Sequence, residues 1–164
     1  TVDEKYVLDT LKTYLGPGFN SKRASKCEVA FYGGSFTGLP NDRQKLLLSV
    51  VKPFLDTGRV DSIRVSTHPL FINSERLDLI KAYGVKTIEL GVQSTSERVL
   101  EDSGRPCSKE DLLKSISLIK KYNFTFGLQL MLGLPGDNEN RFQRSVIDVI
   151  SMKPDFVRLY PTLV

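Results

Sequence analysis

Strand-like and helix-like patterns alternate along the chain, and their spacing restricts the fold more than any other feature of the sequence. Strand patterns occur at 28–32, 62–66, 87–92, 124–132 and 155–160, with helical patterns before the first strand and near 41–55, 75–83, 95–102, 108–122 and 139–152. Successive strands therefore begin roughly 25 to 38 residues apart, the length of one β-α unit. Because parallel strands need such crossovers, the spacing predicts an α/β protein with a parallel sheet. We expect one domain over residues 1–164, since no low-complexity linker divides the chain.

Several of the predicted helices carry chemical signals at their ends. A capping oxygen three residues before a polar partner is typical of a helix start. Three pairs fit this pattern: Asn41 with Gln44, Ser94 with Glu97, and Ser108 with Asp111. Gly84 and Asn123 stand where helix C-terminal caps are expected.

The predicted strands alternate between apolar and polar residues, which is unusual for a parallel sheet that is covered by helices on both faces. Ile63 and Val65 alternate with Arg64 and Ser66, and three later strands show the same parity. Each strand therefore has one apolar face for helices and one polar face. A flat sheet with a solvated face is one explanation, but it is rare with helical crossovers. We favour an incomplete (β/α) barrel of about five parallel strands with outer helices, curved around a polar ligand.

Small and polar residues collect at the carboxyl ends of the predicted strands, where ligands of parallel sheets bind. These ends are Tyr32–Ser35, Ser66–Pro69, Gly91–Ser94, Met131–Gly136 and Tyr160–Thr162. The parity of the strands also turns four further side chains toward the predicted cavity, without assigning them a role. These four are Arg64, Glu89, Arg158 and Tyr160.

Two consecutive glycines, Gly33 and Gly34, follow the first strand pattern. Glycine weakens a strand, so its presence there marks a turn or a close approach of another group to the backbone. A turn is sufficient to explain an isolated pair. At the mouth of a predicted cavity, the pair also fits a ligand that approaches the backbone.

The composition is that of an ordinary soluble globular protein and excludes few classes of function. A formal charge of +4 and a pI near 9.1 tolerate nucleic acid, although a solvated surface explains these dispersed charges equally well. No stretch approaches the ~18 apolar residues of a membrane helix, so no membrane partner is expected. Cys27 and Cys107 are too few for a disulfide framework, which favours a cytoplasmic location. His68, the sole histidine, is interpreted as a loop residue rather than a metal ligand.

Taken in order, the strand ends resemble the S-adenosylmethionine radical superfamily. The segments that carry the resemblance are EVAFYGGSFTGLP, STHPLF, IELGVQS, LQLMLGLPGD and PDFVRLYPTLV, and they span about residue 26 to residue 164. They look most like the radical domain of the Elongator catalytic subunit and its shorter bacterial relatives. Oxygen-independent coproporphyrinogen III oxidase shares a similar but looser pattern.

The resemblance implies S-adenosylmethionine as cofactor and assigns residues to it. Gly33 and Gly34 would hold the cofactor's amino group through backbone carbonyls, with Ser35 where many relatives carry an acidic residue. The other implied contacts are Ser66 and Gln129 at the ribose, Gln93 as a second polar contact, Arg105 at the carboxylate and Met131 beside adenine. A guanidinium suits a carboxylate because it stays charged and donates two parallel hydrogen bonds. A surface arginine and a core methionine are the alternative interpretations of the last two.

Radical chemistry on this cofactor needs an electron from a [4Fe–4S] cluster that thiolates hold. The superfamily places a C-x3-C-x2-C loop after the first strand and before the glycine pair, yet only Cys27 precedes Gly33 here. We therefore expect that no residue of this chain binds a metal. We also expect that the chain is a fragment of a longer protein, whose first strand and cluster loop lie before Thr1.

These expectations define a leading function and three alternatives. The parent protein is predicted to use a reductant and its cluster to generate a 5′-deoxyadenosyl radical for tRNA uridine modification, with this chain inactive alone. The first alternative is an oxygen-independent coproporphyrinogen III oxidase-like enzyme. The second is a barrel that binds S-adenosylmethionine without a cluster or catalysis. The third, which does not depend on the resemblance, is a barrel whose glycine loops bind a phosphate or a sugar.

Overall fold

The computed structural model describes residues 3–16 and 26–162, and within these ranges helices and strands alternate as the sequence predicts. The strands are β1 (Glu28–Phe31), β2 (Ser62–Thr67), β3 (Val85–Gln93), β4 (Thr125–Leu132) and β5 (Phe156–Pro161). The helices are α1 (Glu4–Leu15), α2 (Asn41–Asp56), α3 (Ser74–Ala82), α4 (Glu97–Asp102), α5 (Lys109–Lys121) and α6 (Glu139–Ser151). Short 3₁₀ turns at Phe36–Gly38 and Pro69–Phe71 follow the first two strands.

All five strands pair in parallel in a single sheet, and their order in the sheet repeats their order in the chain. Curvature of this sheet makes a half-barrel with helices on its outer surface. The predicted fold class is therefore confirmed, and each strand lies within two residues of its predicted range.

The apolar face of the sheet forms the core against the outer helices. Ile63 and Val65 of β2, like Ile88 and Leu90 of β3, have no measurable solvent exposure. They belong to one cluster with residues of α2, α3 and α5, including Leu48, Leu77, Ile80, Ile116 and Ile119. Each such side chain contributes about 1.5–3 kcal/mol through burial, so this outer layer fixes the curvature and register of the strands.

The polar face of the sheet lines the interior of the half-barrel. In its lower part the ring of Phe156 lies across β4, where Gly127 has no side chain, and an added Cβ there would collide with that ring. The guanidinium of Arg64 lies 5.1 Å from the centroid of the same ring. The interior is thus filled near its amino-terminal end, while a cavity remains open at the carboxyl ends of the strands.

The edge strand β5 differs from the three central strands because its apolar face is not covered by the described residues. Val157 is 38% exposed and Leu159 is 57% exposed. Ile150 of α6 is also exposed, at 61%. Helical spacing identifies an apolar stripe, but it does not show whether a neighbour covers the end of that stripe.

One of the three predicted N-terminal caps is confirmed. The Ser108 hydroxyl accepts the backbone N–H of Asp111 at 3.0 Å and begins α5. Helix α2 begins after Pro40, and Asn41 instead donates to Glu75, so the cap at Asn41 is wrong. The cap at Ser94 is also wrong, since Ser96 precedes α4.

The predicted C-terminal caps are confirmed by positive φ angles of 86° at Gly84 and 58° at Asn123. No helix in the described ranges is both long and apolar enough to cross a membrane.

Candidate functional site

A cavity of about 630 Å³ opens at the carboxyl ends of the strands. All eight residues that the resemblance assigns to the cofactor line it, although they come from four different strand ends and from the turn after α4. They are Gly33, Gly34, Ser35, Ser66, Gln93, Arg105, Gln129 and Met131. We call this cavity the mouth. The structure brings the eight residues together, while their role as cofactor contacts stays a prediction.

The glycine pair forms an open loop between β1 and the first 3₁₀ turn. Gly33 has a φ of +96°, which favours glycine whether or not a ligand is present. Gly34 has no such constraint, and a Cβ added to either glycine would meet no neighbouring heavy atom within 4 Å. No contact within the described protein therefore requires glycine at position 34. A ligand that approaches the backbone closely would require it.

Buried hydrogen bonds hold this loop against the end of β2. The Thr37 hydroxyl lies 2.6 Å from the Thr67 hydroxyl, and it donates to the Phe71 carbonyl at 2.8 Å. The amide of Gln44, which is fully buried on α2, donates to the Leu39 carbonyl at 2.8 Å. Gln44 thus braces the 3₁₀ turn that follows the glycine loop rather than a helix start.

Gln93 lies at the end of β3 in a strained conformation. Its φ of +66° is rare for a residue with a side chain and costs about 1–3 kcal/mol. The pairing register with β4 shifts at this point, and a Cβ added at Gly91 would lie 2.7 Å from Gln93 Nε2. The Gln93 Oε1 atom is buried without a hydrogen-bond partner among the described residues. Strain of this kind, together with an unpaired polar atom, is typical of a binding site.

The polar side chains of the mouth are not paired with one another. Over the described ranges, no hydrogen bond or ion pair involves the side chains of Ser66, Gln93, Arg105 or Gln129. Arg105 follows Gly104 and is exposed, with its backbone N–H bound to the Leu100 carbonyl at 2.8 Å. The mouth therefore presents donors and acceptors to a ligand, and its lining contains no carboxylate.

His68, which lies in the loop after β2 as the sequence predicts, also lines the mouth. Burial lowers the pKa of His68, and the positive charge of Arg105 lowers this pKa further. The imidazole is therefore neutral near pH 7. Its Nδ1 accepts the Leu70 N–H at 3.3 Å, so the proton of the neutral ring is on Nε2.

A second polar group lies below the mouth, and we call it the charge cluster: Glu28, Tyr32, Arg64, Glu89 and Arg158. Glu89 is 1% exposed. Its Oε1 accepts hydrogen bonds from Arg64 Nη1 at 2.8 Å and from the Tyr32 hydroxyl at 3.1 Å, and it forms an ion pair with Arg158 Nε at 3.0 Å. Arg64 also contacts Glu28 at 2.6 Å. The two acids and two arginines balance in formal charge.

The charge cluster corrects part of the sequence interpretation. Of Arg64, Glu89, Arg158 and Tyr160, only Tyr160 lines the mouth. The parity correctly turned all four inward, but Arg64 and Arg158 engage Glu89 instead of facing an open cavity. Burial and the Glu89 carboxylate raise the pKa of Tyr32, so its hydroxyl remains a donor at neutral pH. Burial lowers the pKa of Arg64, but hydrogen bonds to Glu89 and Glu28 raise it more, and the guanidinium stays charged.

The sequence alone did not identify the apolar wall of the mouth. Leu70 and Phe71 line it from the 3₁₀ turn after β2, and they are 52% and 38% exposed. Both belong to the quoted segment STHPLF, in which Pro69 favours a turn. Two consecutive apolar residues directly after the polar carboxyl end of a strand are the sequence signal that would have identified them.

The described residues do not fit an iron–sulfur cluster. They contain no group of three or more His, Cys, Asp and Glu side chains placed to hold a metal ion. Cys27 precedes β1 and exchanges hydrogen bonds with Asp61 at the amino ends of the strands. Cys107 lies just before α5, near the opposite end. Burial raises the pKa of both thiols, as expected for cysteines that are not thiolate ligands.

A model of a protein family matches most of the chain. Residues 21–149 match the model described as the Radical SAM superfamily. The chain belongs to this superfamily. Radical SAM proteins are defined by S-adenosylmethionine and a [4Fe–4S] cluster, and the residues lining the mouth fit the first of these, since they combine open glycines, unpaired polar groups and one arginine.

Curated relatives of the radical SAM chain are similar over most of its length. The heme chaperone HemW of Bacillus subtilis is 26% identical over 134 residues, which cover 80% of this chain and 35% of HemW. The tRNA uridine(34) acetyltransferase of Methanocaldococcus jannaschii is 28% identical over 109 residues, 65% of this chain and 20% of the relative. Elongator complex protein 3 of Danio rerio is 30% identical over 159 residues, 85% of this chain and 29% of the relative. The chain thus spans about a third or less of these relatives.

Two solved structures show the same fold. Elp3 from Methanocaldococcus infernus, lacking residues 1–46, superposes with a TM-score of 0.78 at 22% identity. The matched region is 98% of this chain and 42% of the Elp3 chain. Coproporphyrinogen III oxidase (HemN) from Escherichia coli has a TM-score of 0.71 at 20% identity. The matched region is 98% of this chain and 37% of the HemN chain. At these identities the likeness concerns the fold alone.

Proposed function

We propose that this radical SAM chain is the S-adenosylmethionine-binding half-barrel of an iron–sulfur enzyme that modifies tRNA uridine. The observation that carries the proposal is the set of polar side chains at the mouth that have no hydrogen-bond or ion-pair partner among the described residues. Unpaired groups of this kind are costly unless a ligand or solvent satisfies them. The names of two relatives, a tRNA uridine(34) acetyltransferase and an Elongator protein, support the choice of branch.

In this proposal each part of the mouth has a chemical task. Gly33 and Gly34 accept the cofactor's amino group through backbone carbonyls, and Arg105 donates to its carboxylate. Ser66 and Gln129 bind the ribose, Gln93 adds a polar contact, and Met131 packs beside adenine. Ser35 has a hydroxyl where many relatives have an acid, so the amino group depends more on the backbone. When bound, the cofactor supplies one-electron chemistry at a substrate C–H bond.

Calorimetric titration of the chain with S-adenosylmethionine tests the assignment of the mouth. Gly34→Ala and Gly34→Val add one and three carbons where the protein has open space, so we expect unchanged unfolding midpoints and a graded loss of affinity, about tenfold or more for valine. Ser49→Val, on the exposed face of α2, is the control variant. Equal affinity of the native chain and Gly34→Val for S-adenosylmethionine would show that the cofactor does not bind at this loop.

Two further measurements test the chemistry of the whole protein. Anaerobic reconstitution of the full-length gene product with iron and sulfide, followed by reduction and electron paramagnetic resonance, is expected to show a [4Fe–4S] signal. Binding of tRNA is expected to exceed binding of coproporphyrin III. The reverse preference would favour the coproporphyrinogen oxidase-like alternative, and binding of S-adenosylmethionine without any cluster would favour the non-catalytic barrel.

A further inference from the structure

Two residues of β5 connect the charge cluster to the mouth. Arg158 and Tyr160 are two positions apart on one strand and therefore lie on the same face. Arg158 Nη1 donates to the Tyr160 hydroxyl at 3.0 Å. Tyr160 lines the mouth, and Arg158 lies directly behind two lining residues, since it also contacts Tyr32.

The guanidinium of Arg158 is held in place but is only partly used. Its Nε lies 3.0 Å from Glu89 Oε1 in an ion pair, and its Cζ lies 5.4 Å from the centroid of the Tyr32 ring. A guanidinium has five N–H donors; here one Nη1 donor binds the Tyr160 hydroxyl and the Nε donor faces Glu89. Nη2 has no hydrogen-bond partner in the described ranges. The side chain is 40% exposed, so the remaining donors are accessible to solvent and to a ligand.

Tyr160 has a free donor for a related reason. Its hydroxyl oxygen accepts from Arg158, so its own O–H can donate elsewhere. By contrast, Tyr32 donates its proton to Glu89 and has none left. Tyr160 therefore offers one phenolic O–H at the mouth, and Arg158 offers the unused N–H groups of an oriented guanidinium just outside its lining.

Charge supports an anionic occupant. Arg64 is surrounded by Glu28 and Glu89, whereas Arg158 contacts Glu89 alone among the described acids. No carboxylate lines the mouth to repel an anion. A planar guanidinium with a neighbouring hydroxyl is a donor set that carboxylate and phosphate groups match well.

We propose that Tyr160, which lines the cofactor cavity, and Arg158, which lies next to it just outside the lining, form a subsite for an oxyanion of the substrate, a carboxylate or a phosphate. The inference rests on the proposed function. When S-adenosylmethionine in the mouth binds Arg105, Arg158 remains an arginine of the half-barrel interior that a substrate can reach. Glu89 is then a positioning residue that orients Arg158 toward the ligand.

The test uses the chain saturated with S-adenosylmethionine and, separately, the unliganded Arg105→Ala variant. Inorganic phosphate or succinate is titrated at constant ionic strength while the Nε–Hε resonance of Arg158 is followed by NMR. We expect saturable movement of this resonance with at least one anion, and the preferred anion indicates whether the source is a phosphate or a carboxylate. Anion affinity of the variants is measured by calorimetry, because substitution of Arg158 removes the NMR reporter. This affinity is expected to fall at least about tenfold in Arg158→Gln and severalfold in Tyr160→Phe. Arg59→Gln, an exposed arginine at the other end of β2, is expected to have no effect.

Arg158→Lys keeps a cation beside Glu89 but removes the planar fork, so it separates anion binding from folding. We expect it to keep the native unfolding midpoint and to lose most of the anion affinity. The proposal is overturned if neither anion moves the resonance, or if Arg158→Gln and Arg158→Lys bind the anion as the native chain does. Arg158 would then serve only to neutralise Glu89. A failure of S-adenosylmethionine to bind would appear in the calorimetric titration with that cofactor. The unliganded Arg105→Ala variant would still show whether an anion binds at Arg158.

Discussion

The interior of the half-barrel contains two polar regions that are organised in opposite ways. In the charge cluster, Glu89 Oε1 accepts hydrogen bonds from Arg64 and Tyr32 and forms an ion pair with Arg158, so the protein neutralises its own charge. The other carboxylate oxygen, Oε2, is buried without a hydrogen-bond partner among the described residues. In the mouth, Arg105 and Gln93 have no side-chain partner in the described protein. The difference shows that inward-facing polarity has two uses in one sheet. The paired groups of the charge cluster stabilise the structure, while the unpaired groups of the mouth are available to bind a ligand.

The largest expected effect concerns the charge cluster. Glu89→Gln leaves two arginines without their shared counter-charge, so we expect a loss of about 3 kcal/mol in the free energy of unfolding, measured by urea denaturation. Glu110→Gln removes an exposed carboxylate that pairs with Lys114 and is expected to leave the urea midpoint unchanged. A midpoint in Glu89→Gln equal to that of this control would show that the cluster is not a structural unit.

The next effect concerns the mouth and is expected in binding rather than in folding. Arg105→Ala removes the proposed partner of the cofactor carboxylate, which weakens S-adenosylmethionine binding about tenfold or more by calorimetry. The unfolding midpoint should not change, because Arg105 has no side-chain partner to lose. Arg144→Ala, on the exposed face of α6, is the matched control. Unfolding of Arg105→Ala at a lower urea concentration would contradict the division between the two regions.

A third prediction separates the two glycines within the mouth. Gly33→Ala forces an alanine into a φ of +96° and is expected to lower the free energy of unfolding by about 1–2 kcal/mol. Gly34→Ala is expected to be neutral or slightly stabilising, since its backbone and surroundings accept a Cβ. Thermal denaturation of both variants measures the difference. Equal losses would mean that the loop as a whole requires glycine for its shape.

The smallest expected effect is a shift in the titration of His68. Because burial and then Arg105 lower its pKa, the NMR titration midpoint should lie below 6.5. Arg105→Ala should move the midpoint upward only in part, since burial remains. The lowered pKa means that the folded state binds the proton less well than the unfolded state. Its contribution to stability is therefore full above about pH 6.5 and is lost as the pH falls through the folded-state pKa. A titration midpoint at or above 6.5 would show that the imidazole is solvated and would contradict the expected lowering of its pKa.

Much of the fold and the membership of the mouth could be predicted from the sequence, and the reasons are physical. The spacing of strands requires crossovers, and alternation assigns each residue to one face, which was sufficient to place Ser66 and Gln129 inside the half-barrel. The carboxyl ends of parallel strands meet at one edge, which brought distant residues such as Gly33 and Arg105 to one cavity.

The pairing of charges and the details of the backbone could not be predicted in this way. Alternation turns Arg64, Glu89 and Arg158 inward, but their contacts depend on the register between strands and on curvature. The φ of Gln93 follows from a register shift between β3 and β4 that no local pattern signals. Likewise, Pro40 displaced the expected cap at Asn41, because several residues near a helix start compete for the same position.

The agreement between strand order and chain order has a consequence for how the protein is made. Each strand pairs with the strand that was synthesised just before it, so every new β-α unit finds its template already present as it leaves the ribosome. None of the five described strands needs to wait for a distant partner, and growth of the sheet at one edge keeps the separation of paired residues short. Such a chain can assemble in the direction of translation, one unit at a time.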